Sequence, residues 1–393
     1  MIQHLRQLSP PTLFALLTAL LGLAPLPPAT TPAQAAALPV PAAPALAAET
    51  WLLMDFNSGR VLAERDPDAR REPASLTKMM TAYVVYAELA RDSFTRETET
   101  VVSEKAWRTG GSKMFIEVGK RVSVDALLKG LIVQSGNDAS VALAELAAGS
   151  EDSFADYMNS YAERLGMRAT HFVNATGLPH PEHYTTARDM AILGAALIRD
   201  FPEEYKLYAQ RSYEYNGIDQ PNRNRLLWRD KSVDGIKTGH TEAAGYCLVA
   251  SAKQDEMRLI SVVMGASSDK SRSAETQKLL NYGFRFYETH RLYSAGEAIE
   301  QARIWKGASE QLPLGVAADL YATVPRGRQG ELQAQVELSP MIVAPTARGE
   351  RHGELRISLA GEPLHSAPLV ALEDVAEGGF LQRAMDSVLL YFQ

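Results

Sequence analysis

Pro73-Ala74-Ser75-Leu76-Thr77-Lys78-Met79-Met80-Thr81 puts a serine and a lysine three residues apart where a helical pattern begins. Leu76, Met79, Met80, Tyr83, Val84 and Tyr86 continue that pattern at helical spacing. At i and i+3, Ser75 and Lys78 share one helix face, about 5–6 Å apart. Taken alone the pair has little specificity. A serine at the start of a helix is ordinarily a cap, and a second Ser-x-x-Lys, Ser267-Ser268-Asp269-Lys270, stands in the loop after a strand-like run.

Outward from this stretch the chain organises itself around a sheet. Residues 51–56 and 61–63 flank Asn57-Ser58-Gly59 and read as a hairpin. After the Ser75 helix come helical patterns at 123–132, where Ser123 and Asp125 form the cap, and then at 138–148, 152–165 and 186–198. Strand-like runs at 245–252 and 257–265 precede a final helix at 273–287. Strands at both ends of a region with helices between them predict a sheet in which the first hairpin pairs beside the last strands. Beyond about residue 292 the texture becomes short alternating runs (302–305, 320–324, 331–338, 354–359 and 369–372) punctuated by Pro, Gly and Arg, the mark of a small all-β module.

Two further motifs give the serine a chemical context, Ser135-Gly136-Asn137 and Lys237-Thr238-Gly239. A serine hydroxyl is a weak nucleophile until a base takes its proton. Lys78 does so only if its pKa falls from about 10.4 toward neutrality, and a second cation, Lys237, would push it that way. Ser135 is placed to relay a proton, Asn137 to bind a substrate amide and Thr238 to donate from an edge strand, with Gly239 leaving room for close substrate approach. The helix start at Ser75 would turn backbone N–H groups toward an oxyanion. His180, Glu182 and His183 lack the rigid spacing of a metal site, so no metal and no cofactor are expected. Residues 174–178 receive no catalytic role.

The chain has 393 residues, a formal net charge of −7 and one cysteine, Cys247. An acidic chain is a poor nucleic-acid binder, and a lone cysteine makes neither an internal disulfide nor a thiolate zinc site. Residues 12–24 form a short apolar core ended by Pro25, Pro27 and Pro28, with small-residue sites at Ala33-Gln34-Ala35 and Ala45-Leu46-Ala47, as in an export signal. The Ala/Pro-rich stretch 29–48 reads as removed or flexible. At the other end, Phe380, Leu381, Ala384, Met385, Val388, Leu389, Tyr391 and Phe392 fall in one half-circle of a helix, and Gln382, Arg383, Asp386 and Ser387 in the other. Such a helix either packs on its own core or lies in a membrane surface.

The three motifs in this order, in the settings Pro73-Ala74-Ser75-Leu76-Thr77-Lys78-Met79-Met80-Thr81, Gly130-Leu131-Ile132-Val133-Gln134-Ser135-Gly136-Asn137-Asp138 and Val233-Asp234-Gly235-Ile236-Lys237-Thr238-Gly239-His240-Thr241, resemble the low-molecular-mass D-alanyl-D-alanine carboxypeptidases of the penicillin-binding protein 5/6 type. The resemblance covers nearly all of the chain after the signal, including the β module. It implies an α+β, β-lactamase/transpeptidase-like catalytic domain, an antiparallel sheet with helices on both sides and a helical cluster, followed by a small β-sandwich-like domain and an amphipathic tail helix. The expected divisions are signal and linker 1–48, catalytic domain 49–291, β domain 292–375 and membrane-anchor helix 376–393. The implied reaction is attack by Ser75 on the bond between the terminal D-alanines of a peptidoglycan pentapeptide stem. Its oxyanion would be held by the N–H groups of Ser75 and His240, and its terminal carboxylate by Arg223, with Arg225 close in sequence. β-Lactams would acylate Ser75. The loop 107–113 resembles a segment near the site. The implied location is the periplasmic face of the bacterial inner membrane. Rival readings are a DD-endopeptidase, a class A-like β-lactamase (whose Glu-x-x-Leu-Asn motif is absent between Ser135 and Lys237) and a non-catalytic wall-binding protein.

Overall fold

The computed structural model describes residues 40–392. The proposed export signal lies outside them. The chain opens with β1 (Thr50–Asp55) and β2 (Val61–Arg65), then a 3-10 turn (Ala74–Leu76) that leads into α1 (Thr77–Leu89). Next come β3 (Glu99–Val101), α2 (Glu104–Arg108), β4 (Arg121–Ser123) and α3 (Val124–Lys129), and a π-helical turn (Gly130–Gln134) leads to α4 (Asn137–Ala148). They are followed by α5 (Glu151–Leu165), α6 (Ala187–Asp200), α7 (Pro202–Tyr205), the hairpin β5 (Ser212–Tyr215) and β6 (Ile218–Pro221), and α8 (Leu226–Arg229). Three long strands, β7 (Val233–Thr241), β8 (Gly245–Gln254) and β9 (Met257–Ala266), lead into α9 (Asp269–Phe286).

The main sheet runs β2-β1-β9-β8-β7, antiparallel throughout, with Thr50 opposite Met264 and Asp55 opposite Leu259. The first hairpin therefore does pair beside the last strands. Side chains alternate by face, as the period of two requires. Trp51, Leu53, Leu248, Leu259 and Val263 pack with Leu279 and Leu280 of α9, whereas Leu52, Val249, Ile260 and Val262 face the helical core. In that core α1 is buried from Thr77 to Glu88. A helix apolar on all sides is one enclosed on all sides, and this is why Lys78 has no solvent exposure.

Besides the short hairpins β3–β4 and β5–β6, which the sequence did not announce, the sequence reading differs from the structure in three places. α9 starts at Asp269, because Ser268 accepts the N–H of Ser271 as its cap. The second Ser-x-x-Lys is thus an ordinary capped helix start. Residues 40–48, expected to be loose, pack on the α9 side of the sheet: Leu46 and Ala48 are buried, and Tyr282 donates to the Pro41 carbonyl at 3.0 Å. Their apolar content has an outer cluster to cover.

The chain continues as β10 (Tyr287–Tyr293), β11 (Ala298–Arg303), β12 (Gln311–Gly315), β13 (Leu320–Pro325), β14 (Leu332–Leu338), β15 (Arg351–Leu359) and β16 (Glu362–Ala371). β10 pairs with β13, and the other five form a sheet ordered β11-β12-β16-β15-β14 around Leu312, Leu314, Leu355, Ile357 and Leu369. The third difference lies here: β10 and β12 were not anticipated, since β10 follows α9 without a break and β12 carries Pro313. A polar bolt joins this module to the first hairpin. Buried Asp55 accepts from Ser58 and, at 2.8 Å, from Thr289; Ser58 and Thr289 both meet Thr323, and Arg60 donates to the Thr323 carbonyl.

The tail helix α10 (Phe380–Tyr391) docks by its polar side. Asp386 is its one buried residue and accepts the Lys306 N–H at 2.5 Å. Phe380, Leu381, Met385, Val388 and Tyr391 face solvent. Among the described residues no helix is long and apolar enough to cross a membrane.

Candidate active site

The turn Ala74–Leu76 brings Ser75 to the mouth of a cleft, half-buried, just before α1 proper begins at Thr77. Ala74 holds a positive φ of 49°. Two glycines make this turn possible. A Cβ on Gly177 would stand 1.8 Å from the Ala74 carbonyl oxygen, and one on Gly239 would meet Pro73 O at 3.1 Å and Ala74 Cβ at 3.3 Å. The glycine of Lys-Thr-Gly therefore clears space for the serine turn. Gly239 also lines the cleft, so this packing stands beside the expected room for the substrate.

Lys78 Nζ lies 3.1 Å from Ser75 Oγ and donates to Asn137 Oδ1 at 2.6 Å and to the Thr176 carbonyl. Its pKa is lowered to about 7, first by burial and then by the nearby Arg223 guanidinium, with Asp138 opposing. Burial, rather than repulsion from a second lysine, is the main cause, which corrects the expectation. A cation inside a closed apolar core loses its hydration whatever its neighbours are. Lys237, on edge strand β7, is also lowered well below the usual lysine value, by burial and then by Lys78 and Arg223. Its Nζ donates to Ser135 Oγ at 2.9 Å. Burial of two amines beside an arginine disfavours three simultaneous cations, which favours an uncharged amine at Lys78.

Ser135 follows the π-helical turn and holds φ 67°, a left-handed conformation uncommon outside glycine. Below it, fully buried Asp138 accepts the N–H groups of Met114 at 3.0 Å, Phe115 at 2.9 Å and Ala139 at 2.9 Å, fixing the start of α4 to the loop above. Asn137 is engaged at both ends, since its Nδ2 donates to the Gly110 carbonyl at 2.6 Å. Its first task in the free site is to hold Lys78, so a substrate amide would have to use its remaining lone pair or N–H.

Ser75, Ser135, Thr238, Gly239, His240 and Arg223 line one cavity of about 980 Å³. Lys78, Asn137 and Lys237 stand behind that wall, joined to it by the hydrogen bonds above. Arg223 makes no ion pair among the described residues. Arg225 pairs with Asp269 at 2.8 Å, which separates two arginines that the sequence left hard to tell apart. Arg272 also reaches Asp269 and donates to the Gly239 carbonyl at 3.0 Å, bracing β7 from behind. The exposed His240 ring stacks on Tyr246 at 4.0 Å, and its backbone continues β7 past the serine.

Sequence reasoning passed over residues 174–178. Asn174 Oδ1 accepts from Thr176 and Gly177, Thr81 Oγ1 donates to Ala175 O at 2.7 Å, and Glu151 accepts the Ala175 N–H at 3.1 Å. The strap so formed puts the Thr176 carbonyl on Lys78. His183 belongs to the same packing. Its Nδ1 accepts the Val173 N–H, so Nε2 carries the proton and donates to Thr77 Oγ1 at 2.7 Å. Burial lowers its pKa to about 4, which keeps it neutral. The one available signal was Asn-Ala-Thr-Gly, an Asx-turn pattern.

An antiparallel sheet, a serine–lysine pair at a helix start and a lysine on the facing edge strand define a serine acyl-transfer enzyme that uses an amine where others use histidine. A sequence profile described as D-alanyl-D-alanine carboxypeptidase matches residues 37–268, and one described as penicillin-binding protein 5, C-terminal domain, matches residues 287–377. The chain is 46% identical to D-alanyl-D-alanine carboxypeptidase DacA of Escherichia coli K12 over 90% of each chain, and 46% identical to DacC of the same strain over 89% of this chain and 90% of the relative. Among solved structures, penicillin binding protein 5 from Haemophilus influenzae superposes with a TM-score of 0.81 at 45% identity, covering 85% of this chain and 99% of that one. The chain belongs to the D-alanyl-D-alanine carboxypeptidase family, of the penicillin-binding protein 5/6 type. It is a serine-type D-Ala-D-Ala carboxypeptidase with a C-terminal β domain and a terminal helix.

Proposed function

We propose that Ser75 is the nucleophile that removes the terminal D-alanine from peptidoglycan pentapeptide stems, with Lys78 as its base. The observation that carries this reading is the 3.1 Å approach of Ser75 Oγ to a buried amine whose pKa is near 7. As Oγ attacks the carbonyl carbon, its proton passes to neutral Lys78 and the carbonyl oxygen becomes an oxyanion facing the N–H groups of Ser75 and His240. Ser135, bonded to Lys237, relays a proton to the leaving nitrogen, the C–N bond breaks and D-alanine departs. Water then attacks the ester, Lys78 again taking the proton, and Ser75 is restored. Arg223, Thr238 and Asn137 hold the substrate, the arginine by a bidentate pair with the terminal carboxylate. No metal or cofactor enters. β-Lactams would acylate the same oxygen.

Incubation with a pentapeptide ending in D-Ala-D-Ala is expected to release one D-alanine per peptide, read by a coupled D-amino-acid oxidase assay. Release only from cross-linked dimers would overturn this reading in favour of an endopeptidase.

The proposed divisions are 1–48 as signal and linker, of which residues 40–48 pack on the catalytic sheet, 49–291 as catalytic domain, 292–375 as β domain, with β10 crossing from one to the other, and 376–393 as anchor, in an exported protein at the periplasmic face of the inner membrane. The orientation of α10 supports the anchor. Its polar side is turned inward onto Lys306 and its apolar side outward, the reverse of a helix packed on a core. Deleting residues 380–393 is expected to move the protein from the membrane to the soluble fraction. Unchanged fractionation would return α10 to an intramolecular role.

A further inference from the structure

A second groove of about 810 Å³ is joined to the catalytic cleft by two continuous segments of chain. On one side the chain runs from Ser112 in the cleft through Lys113 to Phe115 in the groove; on the other, β6 runs from Pro221 in the cleft back to Ile218 in the groove. The walls meet at a single clasp, where Gln220 Nε2 donates to the Lys113 carbonyl at 3.2 Å. That bond fixes the amide's orientation and leaves its Oε1, in a side chain 6% exposed, with no donor among the described residues.

The groove has aromatic and cationic character. Trp107 is 42% exposed and Phe115 49% exposed, the latter held at φ 69°, a costly conformation for an aromatic residue. Exposed Ile218 faces them from the hairpin. The Lys113 amine bonds the Trp107 carbonyl, Arg108 lies alongside in an exposed ion pair with Glu104, and Glu117 is the one acid of the lining. Flat apolar rings accept the C–H faces of sugar rings, and fixed cations accept carboxylates. We infer that this groove binds the sugar-linked, anionic end of the stem peptide whose D-Ala-D-Ala end occupies the cleft. The inference rests on the proposed reaction for the direction in which the substrate runs.

The test compares a free pentapeptide with the same peptide carrying its N-acetylglucosaminyl–N-acetylmuramyl disaccharide. The sugar-bearing substrate is expected to show about tenfold higher kcat/KM, through KM. The double variant Trp107→Ala/Phe115→Gly should lose that surplus and keep its rate on the free peptide within about twofold, and Trp107→Phe should restore part of it. Equal KM for the two substrates in the unaltered enzyme, or equal losses on both in the variant, overturns the groove. Binding of both probes to Ser75→Ala protein separates this from the reaction itself. A tenfold affinity surplus for the disaccharide peptide that disappears with Trp107→Ala supports the groove even if no D-alanine is released, and no surplus overturns it even if release is fast.

Discussion

Replacing Ser75 by alanine is expected to abolish D-alanine release and covalent labelling by a fluorescent penicillin, a loss on the order of 10⁴-fold or more in kcat. The size follows from what the oxygen does. On the proposed reaction it forms the ester, while the other lysine-bonded hydroxyl of the cleft, Ser135 on Lys237, serves as the proton relay. The variant should still fold. Ser75 is half-buried, and the turn that carries it is shaped by Gly177, Gly239 and the backbone of Ala74 rather than by the hydroxyl. Substrate binding should persist as well, because Arg223, Thr238 and Lys237 are untouched. Intact-protein mass spectrometry after exposure to penicillin checks the assignment, and a full-occupancy adduct on Ser75→Ala protein would move the nucleophile elsewhere.

Lys78→Met is expected to lower the acylation rate by about 10³-fold, the middle of the range for a positioned base. Methionine nearly matches the lysine stem in shape. The buried cation penalty it removes works against the loss of donors to Asn137 and Thr176, so a folded but slow enzyme is the expected product. The unaltered enzyme should show the titration of this amine. The base must be unprotonated to take the serine proton, so the acylation rate constant should rise about tenfold per pH unit below 7 and level off above it. The sign for stability runs the same way. A lysine whose folded pKa lies below its unfolded value of 10.5 opposes folding increasingly as pH falls from 10.5 to about 7, and Lys78→Met removes that slope. Acylation that stays flat from pH 5 to 9 would show that Lys78 is not the titrating base.

The parts of this site that carry their chemistry in side chains were legible in the sequence. Ser75 and Lys78 gain meaning from helical spacing only beside Ser135-Gly136-Asn137 and Lys237-Thr238-Gly239, the latter read on an edge strand, and the first hairpin from the turn Asn57-Ser58-Gly59. The parts that act through backbone or through contact at long range were not. The Thr176 carbonyl on Lys78 has no side-chain signature, and the reason for Gly177 is a carbonyl at Ala74, a hundred residues earlier. Burial as the cause of the Lys78 shift could have been read from Met79, Met80, Ala82, Val84 and Val85, which leave α1 no polar face. The packing of residues 40–48 could not, because an Ala/Pro-rich stretch has no period by which to assign a partner.

The bolt of Asp55, Ser58, Thr289 and Thr323 bears on aim. It ties the rim of the catalytic sheet to a strand of the β module, and Asp386 ties the tail helix to the same module. A rotation imposed on the tail is therefore carried through two hydrogen-bonded joints to the cleft. The orientation of the cleft relative to the tail thus depends on side chains that take no part in the reaction.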